Sequence, residues 1–84
     1  MLNINIERLK RSIRELSQIG YNEEDHGVYR WGFTAADMEA RHWLLDTVKA
    51  EGYQAHMDGA GNVFFGIGDY HKKSAVLTGS HLDT

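Results

Sequence analysis

The sequence predicts an α/β fold: two amphipathic helices, then a β-hairpin, then a buried strand that ends in a polar motif. Two changes of pattern carry this reading. Apolar residues recur at three- and four-residue spacing up to Gly52, and from Tyr53 onward they alternate or run continuously. The last apolar run, Ser74-Ala75-Val76-Leu77-Thr78, then opens into Gly79-Ser80-His81-Leu82-Asp83-Thr84. In open α/β sheets the carboxyl ends of strands are where side chains leave the core and face a crevice.

The first helix is expected over residues 6–19, with Ile6, Leu9, Ile13, Leu16 and Ile19 on one stripe. Asn5 suits the N-cap, Ile4 and Leu9 suit a hydrophobic staple, and Gly20 is the stop signal. Residues 21–33 show no clear period. This long connection carries Tyr29, Trp31 and Phe33, which either line a pocket or pin the loop to the core. Thr34-Ala35-Ala36-Asp37 opens the second helix as a capping box with Asp in the Glu position, with Phe33 and Met38 placed as a staple. Ala36, Ala40, Trp43, Leu44, Thr47 and Val48 form its buried stripe, His42 lies on its surface, and Gly52 ends it.

Residues 53–58 alternate as a half-buried strand, with Tyr53, Ala55 and Met57 inward and Gln54, His56 and Asp58 outward. Asp58-Gly59-Ala60-Gly61-Asn62 is rich in turn formers, and Val63 to Ile67 returns as the second arm of a hairpin. The glycines here lack the spacing of a dinucleotide or phosphate-binding loop. With residues 74–78 as a third strand, the minimum architecture is a three-stranded sheet backed by helices on one face. A central last strand with nothing after it implies missing neighbours.

Composition narrows the chemistry. In 84 residues the net charge is −3, which argues against a nucleic-acid partner. The basic residues Arg8, Lys10, Arg11 and Arg14 share their helix with Glu7 and Glu15 and read as a solvated face. No apolar run supports a membrane span or a secretory leader, so a cytoplasmic location is expected. With no cysteine, a metal site must be built from His and carboxylates, which suits zinc, manganese, cobalt or nickel.

His81 is the candidate metal ligand. Two residues on, Asp83 projects to the same side of an extended chain, where a carboxylate holds the far nitrogen of a metal-bound imidazole. The spacing is not specific in itself, because His56-Met57-Asp58 repeats it on the outward face of a strand. From the residues, two readings stand for His81: a ligand at a strand end, or a solvated His near a frayed terminus. Catalytic zinc takes about three protein ligands, so His81 by itself is not a site and metal binding by this chain is expected to be weak; tight zinc binding would point first to His56 and His71 as further ligands.

Three motifs together resemble the hydantoinase/carbamoylase family of metal-dependent amidohydrolases, which holds N-carbamoyl-L-amino acid hydrolases, allantoate amidohydrolases and β-ureidopropionases. Gly27-Val28-Tyr29-Arg30, followed by Thr34, Asp37 and Ala40-Arg41, is similar to the family's Gly-Val-x-Arg segment and the helix after it. Asp58-Gly59-Ala60-Gly61-Asn62 resembles its Asp-x-x-Gly-Asn turn, and Gly79 to Thr84 its first metal motif. The resemblance covers nearly the whole chain and implies the N-terminal portion of one aminopeptidase-like zinc hydrolase domain, residues 1–84. It implies His81 as a ligand of a centre of two divalent metal ions and Asp83 as the catalytic-site carboxylate that orients it. The implied reaction is hydrolysis of a linear amide or ureido bond of a small-molecule substrate. The bridging aspartate, catalytic glutamate, remaining ligands and dimerisation domain would lie beyond Thr84 in a parent that forms a homodimer. The 84-residue chain itself is therefore expected to be inactive. Outside that family, a small binding module or a truncated gene product is the alternative.

Overall fold

A computed structural model describes residues 2–70 and 72–84. In chain order the elements are α1 (Ile6–Ser17), α2 (Ala35–Ala50), β1 (Gln54–Met57) and β2 (Val63–Gly66). His71, one of the residues named above as a further metal candidate, lies outside the described residues.

Asn5 caps α1 as its sequence position suggests, its Oδ1 accepting from Arg8 N–H at 3.1 Å. The chain leaves the helix through Gly20 at φ 84°, a conformation that favours glycine. The apolar stripe of α1 is not covered: Ile6, Leu9 and Ile13 are each 45–59% exposed. Only the C-terminal end of the helix is engaged, with Leu16 and Ile19 half-buried. The connection that follows is ordered by local hydrogen bonds. Tyr21 and Val28 form an isolated antiparallel bridge, and Tyr29 N–H donates to Gly20 O at 2.8 Å. Trp31 and Phe33 are well exposed, so these rings neither pin the loop to the core nor close a pocket.

Thr34 caps α2 through its hydroxyl, which accepts from Asp37 N–H at 3.4 Å. The reciprocal half of the capping box is displaced by one residue. Asp37 Oδ2 accepts from Phe33 N–H at 2.8 Å, while Thr34 N–H donates to Trp31 O. Phe33 sits at φ 63° and lies under the guanidinium of Arg41, 4.6 Å from its ring centroid. That contact occupies Phe33 where a staple with Met38 was expected.

α2 packs across both strands of the β1–β2 hairpin, and here the core sits. Among the described residues its buried apolar members are Ala40 and Val48, joined by two buried polar side chains, Asp37 and Arg30. β1 and β2 pair antiparallel with Gln54 opposite Gly66, Ala55 opposite Phe65, His56 opposite Phe64 and Met57 opposite Val63. The inward–outward alternation read for β1 is incomplete, because Ala55, His56 and Met57 are all half-buried. His56 stacks on its cross-strand partner Phe64 with ring centroids 5.2 Å apart. Cross-strand ring contacts of this kind stabilise an antiparallel pair and cover polar edges.

The hairpin turn is built by Asp58. Its Oδ1 accepts from Ala60 N–H and Asn62 N–H at 3.0 and 2.8 Å, and its Oδ2 accepts from the Asn62 side-chain amide at 3.0 Å. These bonds, the Asn62 side-chain amide foremost, hold the Asp58 carboxyl below its ordinary value near 3.8, with His56 adding a smaller electrostatic pull. A depressed folded value means that the contribution of the turn to stability is complete above that ordinary value. It is lost as pH falls through the lower, folded value. Acid titration followed by NMR is expected to show the Ala60 and Asn62 amide shifts moving with a midpoint below 3.8. In Asp58→Asn that step should vanish.

The third strand is the main correction to the sequence reading. Residues 74–78 form no strand, and Val76 and Leu77 are 101% and 83% exposed. A strand apolar on both faces is stable only with ladder partners on its edges and helices over its faces. The sheet described has two strands, and neither edge is paired with this segment. The exposed surface of 6934 Å² exceeds the roughly 5,100 Å² of a compact monomer of this mass. The radius of gyration, 14.5 Å, likewise exceeds the roughly 12 Å expected for this length. Among the described residues, no helix is long and apolar enough to cross a membrane.

Candidate functional site

The three sequence motifs converge on one small cleft of about 140 Å³, lined among others by Asp37, Arg41, Asn62, Ser80, His81 and Asp83. Two larger grooves of about 800 and 790 Å³ run along α1 and beside β2, and among the described residues neither is lined by a histidine.

One wall is held by α2. Asp37, in its first turn, is fully buried and pairs through Oδ2 with Arg41 Nη2 at 2.8 Å, one helical turn on. Arg41 then donates from Nη1 to Gly61 O at 2.9 Å, tying the helix to the tip of the hairpin turn. Gly61 is at φ 84°, and a Cβ there would run into that guanidinium. Asp37, Arg41 and Gly61 thus form one polar chain from helix to turn. The other carboxylate oxygen of Asp37, Oδ1, is buried with no hydrogen-bond partner among the described residues.

The opposite wall is the segment 80–84. His81 Nδ1 lies 3.0 Å from Asp83 Oδ1 and 3.1 Å from Asp83 O. Both of these are acceptors, so Nδ1 carries the hydrogen and the lone pair stands on Nε2. The side chain of His81 is 79% exposed, which leaves Nε2 open to a ligand. The carboxylate at Nδ1 fixes the tautomer, the arrangement metal-bound imidazoles use. The donor chemistry fits a divalent ion at Nε2. It supplies one ligand, and no cluster of three or more His, Asp or Glu able to hold an ion occurs among the described residues.

His56, the competing His-x-Asp histidine, lies in β1 against Phe64, and its Asp58 is spent on the turn. His42 is exposed on α2, as its position suggested. The segment 81–84 is fastened to the fold by Arg30, a residue quoted in the sequence only as part of a motif. Arg30 donates from Nε to Leu82 O at 3.1 Å, and Thr84 N–H donates to Arg30 O at 2.8 Å. The signal that could have exposed it is composition: one arginine inside an otherwise apolar, aromatic and glycine run, Gly27-Val28-Tyr29-Arg30-Trp31-Gly32-Phe33.

A second ionisable cluster lies in the loop before α2. Tyr29 donates its hydroxyl to Asp25, which also accepts from Gly27 N–H at 2.8 Å. The Tyr29 bond, with the backbone one behind it, holds the Asp25 carboxyl below the usual carboxylate range. In turn Asp25 raises the Tyr29 hydroxyl above the usual phenol range. Both groups are solvent-exposed and belong to the loop that presents Arg30, away from the cleft residues.

Compared with known proteins, the chain is 37% identical over 71 residues to a protein of Mycolicibacterium smegmatis named "Putative hydrolase". The match takes in 83% of this chain and 16% of that relative, so the chain spans about one sixth of the relative's length. No family model matches the chain, and no solved structure matches it significantly.

Proposed function

We propose that this chain is part of a metal-dependent hydrolase that cleaves the linear amide or ureido bond of N-carbamoyl-L-amino acids. The observation that carries the proposal is the His81–Asp83 pair, with Nδ1 engaged by a carboxylate and Nε2 facing open space. Similarity to a protein named as a hydrolase, over one sixth of that relative, agrees with the reaction class. The three motifs that resemble the carbamoylase family supply the substrate class. In this reading residues 1–84 are the N-terminal portion of a catalytic domain whose other ligands and dimerisation partner come from further sequence.

When bound, divalent ions of this kind supply Lewis acidity, lowering the pKa of water and polarising a carbonyl. The chain's own part is positional. His81 offers Nε2 as a neutral donor, Asp83 keeps the hydrogen on Nδ1, and Ser80 and Asn62 present polar groups to the same cleft. Arg41 and Asp37 keep the turn that carries Asn62 fixed against α2.

The test is an assay of the intact product of the natural gene, reconstituted with zinc, manganese, cobalt or nickel, against N-carbamoyl-L-amino acids, allantoate and β-ureidopropionate. Turnover of the first class supports the proposal. Turnover of allantoate or β-ureidopropionate alone would reassign the substrate, and metal-independent turnover would overturn the mechanism. The isolated 84-residue chain is expected to show none of these activities.

A further inference from the structure

We propose that Arg30 and Thr84 form a clasp that sets the position of the His81–Asp83 pair, making Arg30 a positioning residue for the metal motif. The inference rests on the reading of His81 as a ligand for its purpose, while the geometry of the clasp stands without it.

Four hydrogen bonds make the clasp. Arg30 N–H donates to Thr84 Oγ1 at 3.0 Å, and Thr84 N–H donates back to Arg30 O at 2.8 Å. The Thr84 hydroxyl donates to Val28 O at 2.8 Å, and Arg30 Nε donates to Leu82 O at 3.1 Å. They bracket Asp83 on both sides, and His81 immediately precedes the first of the bracketed carbonyls. Residues 72–80 before the motif are exposed and lack regular structure. The attachment of residues 81–84 is therefore decided by the clasp and by little upstream of it.

The guanidinium has a second anchor that makes it rigid. Nη1 donates to Leu16 O and Ile19 O, each at 3.0 Å, at the C-terminal end of α1. Those carbonyls are at the negative end of the helix, which favours a cation there. No carboxylate is paired with Arg30 among the described salt bridges, so these carbonyls take that role for a side chain only 6% exposed. A planar fork can reach Leu82 O from one edge and Leu16 O and Ile19 O from another. A lysine ammonium lacks that fixed divergence. Arg30 thus transmits the position of α1 to the metal motif.

The clasp is tested on the 84-residue chain without metal, by amide exchange at Thr84 and by 15N shifts of the His81 ring at a pH where imidazole is neutral. In the wild type the Nδ1–H form should dominate, against the Nε2–H form that free imidazole side chains favour in water. Thr84→Val removes both hydroxyl bonds at a position remote from the α2–hairpin core. It should speed Thr84 amide exchange on the order of tenfold and shift the His81 tautomer toward Nε2–H. Arg30→Met should do the same and loosen the end of α1; Arg30→Lys should rescue little.

Unchanged Thr84 exchange and unchanged ring shifts in Thr84→Val would overturn the proposal, even if Arg30→Met fails to fold. Cobalt loading of the intact product of the natural gene separates the two readings. No bound cobalt there would count against the hydrolase assignment, whereas the metal-free exchange data bear on the clasp alone.

Discussion

On the function proposed above, replacing His81 by alanine in the intact product of the natural gene is expected to abolish metal-dependent turnover, while Asp83→Asn should leave weakened turnover. The two residues act through one imidazole but at different removes. In that reading His81 would contribute the donor atom, so its loss would remove a ligand outright and leave an incomplete set. Asp83 would act on an ion only through His81 Nδ1, 3.0 Å away, where it accepts the hydrogen and fixes the tautomer. Losing such an outer carboxylate typically costs roughly 10–100-fold in metal affinity or activity. Asn at 83 can still accept through its amide oxygen, which preserves the tautomer but removes the negative charge beside the ring. Metal content per chain, measured alongside kcat and KM, distinguishes the two. His81→Ala should lose metal, whereas Asp83→Asn should recover activity as metal concentration rises. Equal, metal-insensitive losses in both variants would mean that Asp83 does more than orient the ring. Full activity in His81→Ala would remove the metal assignment altogether.

The parts of the fold that were legible in the sequence are those fixed by local chemistry. Asn5 and Thr34 cap their helices, Gly20 and Gly52 adopt the positive φ that ends them, and Asp58 to Asn62 makes the hairpin turn. Each depends on a few neighbouring residues and a backbone conformation that those residues favour. The misreading at 74–78 has the opposite origin. Ser74 to Thr78 has the composition of a buried strand, but a strand is formed by its partners, and the two-stranded sheet here supplies none to it. The apolar stripe of α1 was legible as a pattern, yet its burial is a property of whatever faces it.

The candidate site divides in the same way. His81 and Asp83 meet locally, two residues apart, although the same spacing at His56 and Asp58 leaves Asp58 bonded to the hairpin turn instead. Arg30 and Thr84 meet across 54 residues. Nothing in either local sequence encodes that approach. Asp37 was read for its place in the capping box, and the structure gives its carboxylate a second partner in Arg41, which carries the link on to Gly61. Long-range polar chains of this kind become visible only once the elements are docked. They also join segments that the sequence presents as three separate motifs.

The second large effect is expected at Gly20, where alanine should destabilise the chain and detach the His81–Asp83 segment together. At φ 84° an L-residue pays about 1–2 kcal/mol for the left-handed conformation alone. Space adds to that cost. A Cβ on Gly20 would collide with the carbonyl oxygen of Tyr29 and stand 2.9 Å from Arg30 Cγ. The first obstacle is backbone and does not yield cheaply. Moving it strains the hydrogen bond from Tyr29 N–H to Gly20 O and shifts the strand of chain that delivers Arg30 to Leu16 O, Ile19 O and Leu82 O. Gly52 provides the internal control, because it shares the positive φ, at 89°, but has open space where its Cβ would go. Gly52→Ala should therefore cost only the conformational part and leave Thr84 amide exchange unchanged. Gly20→Ala should lower the denaturation midpoint further and accelerate exchange at Thr84, 64 positions away in sequence. If the two variants lose equal stability and neither alters Thr84, then Gly20 matters only for its φ, and the path from the end of α1 through Arg30 to His81 does not carry the coupling assigned to it.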